Sequence, residues 1–120
     1  MKSTPHLFNI KRIINAGRYS WQGLKVAWQY EGAFRQELML CLLLLPLSYF
    51  AENALEWVLL IGSLLLLLIV ELINSAIEAS IDRHGNEWHE LSKRAKDLGS
   101  AAVSVTLVNL IVVWVALLCF

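Results

Sequence analysis

The stretch that most constrains this chain is a run of hydrocarbon that ends in carboxylates. Trp57 to Val70 carries no charge and is followed directly by Glu71-Leu-Ile-Asn-Ser-Ala-Ile-Glu-Ala-Ser-Ile-Asp82. At about 100° per residue, Glu71, Asn74, Ser75, Glu78 and Asp82 fall within roughly 100° of one another on a helix. The apolar run alone is shorter than the about 20 residues that a membrane-crossing helix needs, so the helix must continue through Glu71, Asn74 and Ser75. At about 1.5 Å per residue, Glu71 then lies roughly 21 Å from Trp57, inside the hydrocarbon but near its far boundary. Carboxylates at such depth are costly and mark function by default.

A length of 120 residues leaves room for a single membrane domain over 1–120. The composition is 58% hydrophobic, above the about 45–50% of soluble domains, which points to an integral membrane protein. The net charge is zero, yet the basic residues fall in two blocks: Lys2 to Arg35, and Arg83 to Lys96. No Lys or Arg lies between residues 36 and 82. Cys41 and Cys119 both sit in apolar runs, where cysteine behaves as a small hydrophobe, and no disulfide framework is expected. The segment Met1 to Arg12 has neither an apolar h-region nor a small-residue cleavage site, so no removable signal peptide is expected.

Around residues 8–28, Ile10, Ile13, Ile14, Gly17, Trp21, Leu24 and Trp28 share one side of a helical wheel, opposite Lys11, Arg12, Asn15, Arg18, Gln22 and Lys25. This pattern predicts an amphipathic helix in the interface, with its tryptophans in lipid and its basic residues near anionic headgroups. Leu38 to Ala51 is again too short to span, so a first transmembrane helix over about 31–50 draws on Glu31, Arg35 and Glu37. Glu31 and Arg35, four apart, are placed to pair, and Pro46 is expected to kink this helix or mark its last turns. The short acidic connector from Ala51 to Glu56 predicts an antiparallel second span over about 55–83. His84-Gly85-Asn86 signals a turn inside a polar 83–97 loop. The uncharged run from Ala101 to Phe120 gives a third span over about 97–119, opened by small residues that favour close helix packing. The positive-inside rule puts the N-terminus and the 83–97 loop in the cytoplasm and the C-terminus outside.

Four polar pieces therefore converge at one membrane depth: the surface helix, Glu31 to Glu37, Glu71 to Asp82, and Glu87 to Asp97. Carboxylates beside Lys and Arg suit a Mg-nucleotide, since Mg²⁺ takes one or two carboxylates and completes its shell with phosphates and water. Lys96, Arg12 and Arg94 would neutralise phosphate charge. No Walker A or protein-kinase signature is present, which excludes a soluble-type nucleotide fold. His84, Glu87, His89 and Glu90 do not match a standard zinc ligand spacing. Glu71 is the best candidate for a base, because a carboxyl partly buried in apolar surroundings is suited to accept a proton near neutral pH. The residues alone leave open that Glu71 and Asn74 only join helices through hydrogen bonds, or that the carboxylates serve a small oligomeric channel or transporter. Against a conduit, Trp57 to Val70 offers only Gly62 and Ser63 as polar or small lining. A polar face of this kind needs more shelter than three spans provide, so a homo-oligomer is expected.

Glu71-Leu-Ile-Asn-Ser-Ala-Ile-Glu78, Arg94-Ala-Lys-Asp-Leu-Gly-Ser-Ala-Ala102, and Glu31 followed by Ala33-Phe-Arg-Gln-Glu37 together resemble the bacterial integral-membrane diacylglycerol kinase family. Tyr19-Ser-Trp-Gln-Gly-Leu24 and Trp28 fit that family's surface helix, and the Gram-negative branch matches more closely than the undecaprenol kinases. The resemblance implies an all-α membrane protein, with one amphipathic surface helix and three transmembrane helices, assembled as a homotrimeric bundle in the inner membrane with active sites shared between subunits. It implies transfer of the γ-phosphate of MgATP to diacylglycerol, giving phosphatidic acid for phospholipid recycling, with no nucleic-acid partner. By matching position, Glu71 would be the general base, Glu31 and Glu78 would hold Mg²⁺, and Asn74 would support Glu71. Arg12, Tyr19, Glu31, Glu78, Glu87, Trp88, His89, Lys96 and Asp97 would border ATP. Arg12, Ser20, Trp21, Lys25, Trp28, Phe34, Arg35, Gln36, Glu37, Glu71 and Ser100 would border the lipid.

Overall fold

The structure is a computed structural model that describes residues 9–120. The expected start of the surface helix near residue 8, and Met1 to Phe8 of the segment judged to lack a signal peptide, lie outside the described residues. Helix α1 (Ile10–Tyr30) starts where the Asn9 side chain accepts the Arg12 amide at 3.2 Å, satisfying one of the free N–H groups of a first turn. Only Ala27 of α1 is buried, while Ile10, Ile13, Ile14, Trp21 and Trp28 stay exposed along its apolar side. Glu31 is extended and ends α1. Helix α2 (Gly32–Leu44) then runs into a 3₁₀ segment, Leu45–Phe50. That change sits at Pro46, whose missing N–H interrupts the α-helical ladder.

Helix α3 (Ala54–Asp82) is capped by Asn53, which accepts the Glu56 amide at 2.9 Å, while the Glu56 carboxylate accepts the Glu52 amide at 3.0 Å. Its 29 residues rise about 43 Å, more than the about 30 Å of a bilayer's hydrocarbon. After a turn in which Gly85 adopts φ 88°, a conformation glycine takes without steric cost, helix α4 (Glu90–Cys119) returns antiparallel to α3. It begins at Glu90, inside the polar 83–97 stretch that the sequence reads as a loop. His89 Nδ1 accepts the Leu91 amide at 3.0 Å, and the side chains of Lys93 and Asp97, one turn apart, pair at 2.7 Å. The charges of this segment thus support helix through neighbouring turns. No strand occurs among the described residues. Three helical segments are long and apolar enough to cross a membrane: Gly32–Phe50, Ala54–Asp82 and Glu90–Cys119.

The core lies along α3, which packs chiefly on α4 and less on α2. Its buried residues are Leu60, Ser63, Leu64, Leu67, Glu71, Asn74 and Ser75, a seam with the three-and-four spacing of interlocking helices. Leu60 and Leu67 are 0% exposed. The facing seam of α4 buries Gly99, Thr106, Leu110 and Trp114, and Cys41 of α2 completes the apolar cluster. One side-chain hydrogen bond ties the two helices far from the α3–α4 turn: the Trp114 indole donates to Ser63 Oγ at 2.9 Å, and Ser63 Oγ–H in turn donates to the Leu60 carbonyl of its own helix at 2.7 Å. With no water at this depth, the indole N–H depends on that oxygen. Ser63→Ala should cost about 0.5–1 kcal/mol in mixed-micelle unfolding, and adding Trp114→Phe should cost less in that background than in the native chain.

Candidate functional site

The α3 seam changes character partway along its length. Leu60, Leu64 and Leu67 are hydrocarbon; one turn on, Glu71 is only 4% exposed and Asn74 8%. Glu31, at the break between α1 and α2, and Glu78 lie within electrostatic reach of the Glu71 carboxylate, and Glu37 of α2 does as well. One Glu37 oxygen is buried without a partner. The Asn74 amide group donates to Glu78 Oε1 at 3.5 Å, and its own Oδ1 is buried without a hydrogen-bond partner.

Two grooves flank these carboxylates. The first, about 790 Å³, lies between α1, α2 and α3 and is lined by Trp21, Leu24, Lys25, Trp28, Gln29, Phe34, Arg35, Leu38, Leu68 and Leu72. Its walls are mostly apolar, with Lys25 and Arg35 among them, which suits an acyl chain with a polar head. The second, about 900 Å³, surrounds the α3–α4 turn and is lined by residues that include Asp82, Glu87, Trp88, His89, Lys93, Lys96 and Asp97. Both grooves border α3: Leu68 and Leu72 wall the first, and Ile81 and Asp82 the second.

The structure thus places Glu71 and Asn74 in the seam, Glu78 beside Asn74, and Glu31 and Glu37 within electrostatic reach of Glu71. These four carboxylates line neither groove, whereas Trp21, Lys25, Trp28, Phe34 and Arg35 line the apolar one and Glu87, Trp88, His89, Lys96 and Asp97 the polar one. Arg12, Tyr19, Ser20, Gln36 and Ser100 are exposed and line neither groove. The expected Glu31–Arg35 pair does not form. Glu31 is extended, and Arg35 Nη1 instead donates to the Trp28 and Gln29 carbonyls at 2.8 and 3.1 Å. The last carbonyls of α1 have no helical partner, so a guanidinium there caps the helix and fixes α1 to α2. Lys96 is held by Asp82 at 2.7 Å. Sequence reasoning missed Asp82 in this role, because the pair joins two helices across a turn. It also missed Leu38, Leu68 and Leu72, which nothing distinguishes from other leucines.

Among the described residues, no three His, Cys, Asp or Glu side chains stand close enough to hold a metal ion by themselves. A Mg²⁺ arriving with a nucleotide asks for only one or two carboxylates, which Glu31 and Glu78, each within electrostatic reach of Glu71, could supply.

The family described as prokaryotic diacylglycerol kinase matches residues 18–118. A diacylglycerol kinase of Escherichia coli K12 is 51% identical over 108 residues, covering 89% of this chain and 88% of its own. Those of Haemophilus influenzae and Pseudomonas aeruginosa are each 47% identical. They cover 92% and 91% of this chain, and 95% and 89% of their own.

Arg35→Leu should loosen the end of α1 without unfolding the spans. Loss of about 1 kcal/mol of capping would speed hydrogen exchange of the Gln29 to Glu31 amides about fivefold, while the α3 seam keeps its protection.

Proposed function

The chain belongs to the prokaryotic diacylglycerol kinase family, and on that premise we propose that it transfers the γ-phosphate of MgATP to the free hydroxyl of diacylglycerol, giving phosphatidic acid. It is a membrane enzyme, and as a kinase its reaction depends on ATP. The observation that carries the finer reading is the position of Glu71 on α3. The same helix walls an apolar groove at Leu68 and Leu72 and a polar groove at Asp82, and the buried Glu71 lies between Leu68 and Asp82 along it. A lipid hydroxyl and a water-soluble phosphate donor can meet only at such a boundary.

In this mechanism the lipid lies along the apolar groove, with its head toward Lys25 and Arg35. Glu71 accepts the hydroxyl proton as the oxygen attacks the γ-phosphorus and the bond to ADP breaks. Glu31 and Glu78 would hold Mg²⁺, which when bound spreads the charge of the phosphates. Lys96 leaves Asp82 to offset charge on the transferring group, and Glu87, Trp88, His89 and Asp97 border the nucleotide. Positioning and charge neutralisation supply most of the catalysis in phosphoryl transfer, so burial of Glu71 among fixed groups matters more than intrinsic basicity.

In the homotrimer that the resemblance implies, one subunit's surface helix would bring Arg12 and Tyr19, which line neither groove within one chain, to another's site. Broad exposure of apolar residues on α2 and α4 is compatible with both lipid and neighbouring subunits covering them. The same reading puts the protein in the inner membrane, with the 83–97 segment cytoplasmic and the C-terminus periplasmic. A channel is disfavoured by the sealed leucine seam. Undecaprenol, the other acceptor the resemblance allows, is an arm of the test.

Purified protein in mixed micelles with γ-labelled ATP should label diacylglycerol well above undecaprenol. Label only in undecaprenol would reassign the acceptor, and label in neither would refute the phosphotransfer. Glu71→Gln should keep MgATP affinity and fold while turnover falls about 10²-fold or more; turnover near the native rate would remove Glu71 as the base.

A further inference from the structure

Asn74 and Gly99 meet where α3 and α4 face each other at the polar end of their seam, and both are buried. A Cβ added to Gly99 would overlap Asn74 Oδ1 and stand 3.2 Å from its Cγ and 3.9 Å from its Cβ. In the native chain a hydrogen occupies that direction, so the Gly99 Cα–H points at Oδ1, a weak contact of the Cα–H···O type. This oxygen has no other partner. The opposite end of the same carboxamide donates to Glu78 Oε1 at 3.5 Å. Since a carboxylate only accepts, the NH₂ group must face Glu78 and the oxygen must face α4.

The tight fit at Gly99 is specific to this carboxamide. Gly62, also within a span, has nothing within 4 Å of an added Cβ, and neither do Gly17 and Gly23. At Gly99, moreover, the nearest atoms belong to the Asn74 side chain and not to the α3 backbone, so the missing side chain serves more than close helix approach. The carboxamide is wedged between the α4 backbone and the carboxylate it contacts. Rotation about its side-chain bonds to clear a new methyl group at Oδ1 would also move the NH₂ group that contacts Glu78.

We infer that Gly99 is a positioning residue: its bare backbone seats Asn74 so that the Asn74 NH₂ group orients the Glu78 carboxylate for the divalent cation that accompanies the nucleotide. Gly99 acts through Asn74 and touches neither substrate. The inference rests on the assignment of Glu78 to the cation in the proposed function. Outer partners that orient a metal-holding group typically change metal affinity about 10–100-fold when lost, which sets the size of the effect.

The test is Mn²⁺ binding, followed by electron paramagnetic resonance, to the detergent-solubilised full chain with a non-hydrolysable ATP analogue. Gly99→Ala should weaken Mn²⁺ about tenfold or more, with native helix content and an unchanged KM for diacylglycerol. Asn74→Ala should weaken it similarly. The double variant, in which truncated Asn74 leaves room for the methyl group, should bind Mn²⁺ as Asn74→Ala does. If Gly99→Ala does not fold, the double variant still decides: affinity equal to Asn74→Ala supports the inference, and a further loss, or a double variant that also fails to fold, overturns it. Native Mn²⁺ affinity in Gly99→Ala would overturn it as well. Glu78→Gln separates the two levels: if that variant binds Mn²⁺ normally the cation assignment itself falls, whereas its loss beside an unaffected Gly99→Ala removes Gly99 alone.

Discussion

Polar groups carried into hydrocarbon must find their partners inside the protein, and the α3–α4 seam is where this chain meets that demand. Far from the α3–α4 turn the demand is small. Leucines fill the seam, the Trp114 indole has Ser63, and the Cys41 thiol faces the Leu64 carbonyl at 3.8 Å. Toward the α3–α4 turn the same buried face holds Glu71, Asn74 and Ser75. The helical geometry that buries leucine at one end buries carboxylate and carboxamide at the other, and there the internal partners run out. Unpartnered oxygens on Glu37 and Asn74 are the residue of that imbalance.

The carboxylates repel one another in the bare chain, and the nearby cations are engaged elsewhere: Arg35 on the end of α1 and Lys96 on Asp82. These contacts are exposed or partly exposed, so each contributes modestly and can be exchanged at small cost. The deep groups are fixed by packing and the shallow ones by replaceable pairs. That division suits an enzyme that works between lipid and water.

The surface helix illustrates how a sequence pattern and a fold supply different information. The wheel of α1 assigned an apolar and a basic side, and its apolar residues are indeed left uncovered by the chain. The wheel could not show that Trp21, Leu24 and Trp28 would roof a groove whose floor is Leu68 and Leu72 of α3. Likewise the i, i+4 spacing of Glu31 and Arg35 suggested a pair, but a pair needs continuous helix, and the chain turns at Glu31. The free carbonyls that this turn creates then became the partners of Arg35.

By itself the sequence determined the number of spans, since helices of fixed rise must cover a bilayer of fixed thickness, and it determined that Glu71, Asn74, Ser75 and Glu78 share a face. It also carried the family, through short runs in which polar residues recur at helical spacing. Only the tertiary structure decided which groups meet: Asp82 with Lys96, Ser63 with Trp114, Gly99 with Asn74. Each of these joins two helices whose relative rotation and depth follow from packing along their whole length. No local pattern encodes that quantity, because a leucine in the seam and a leucine facing lipid read the same in the chain.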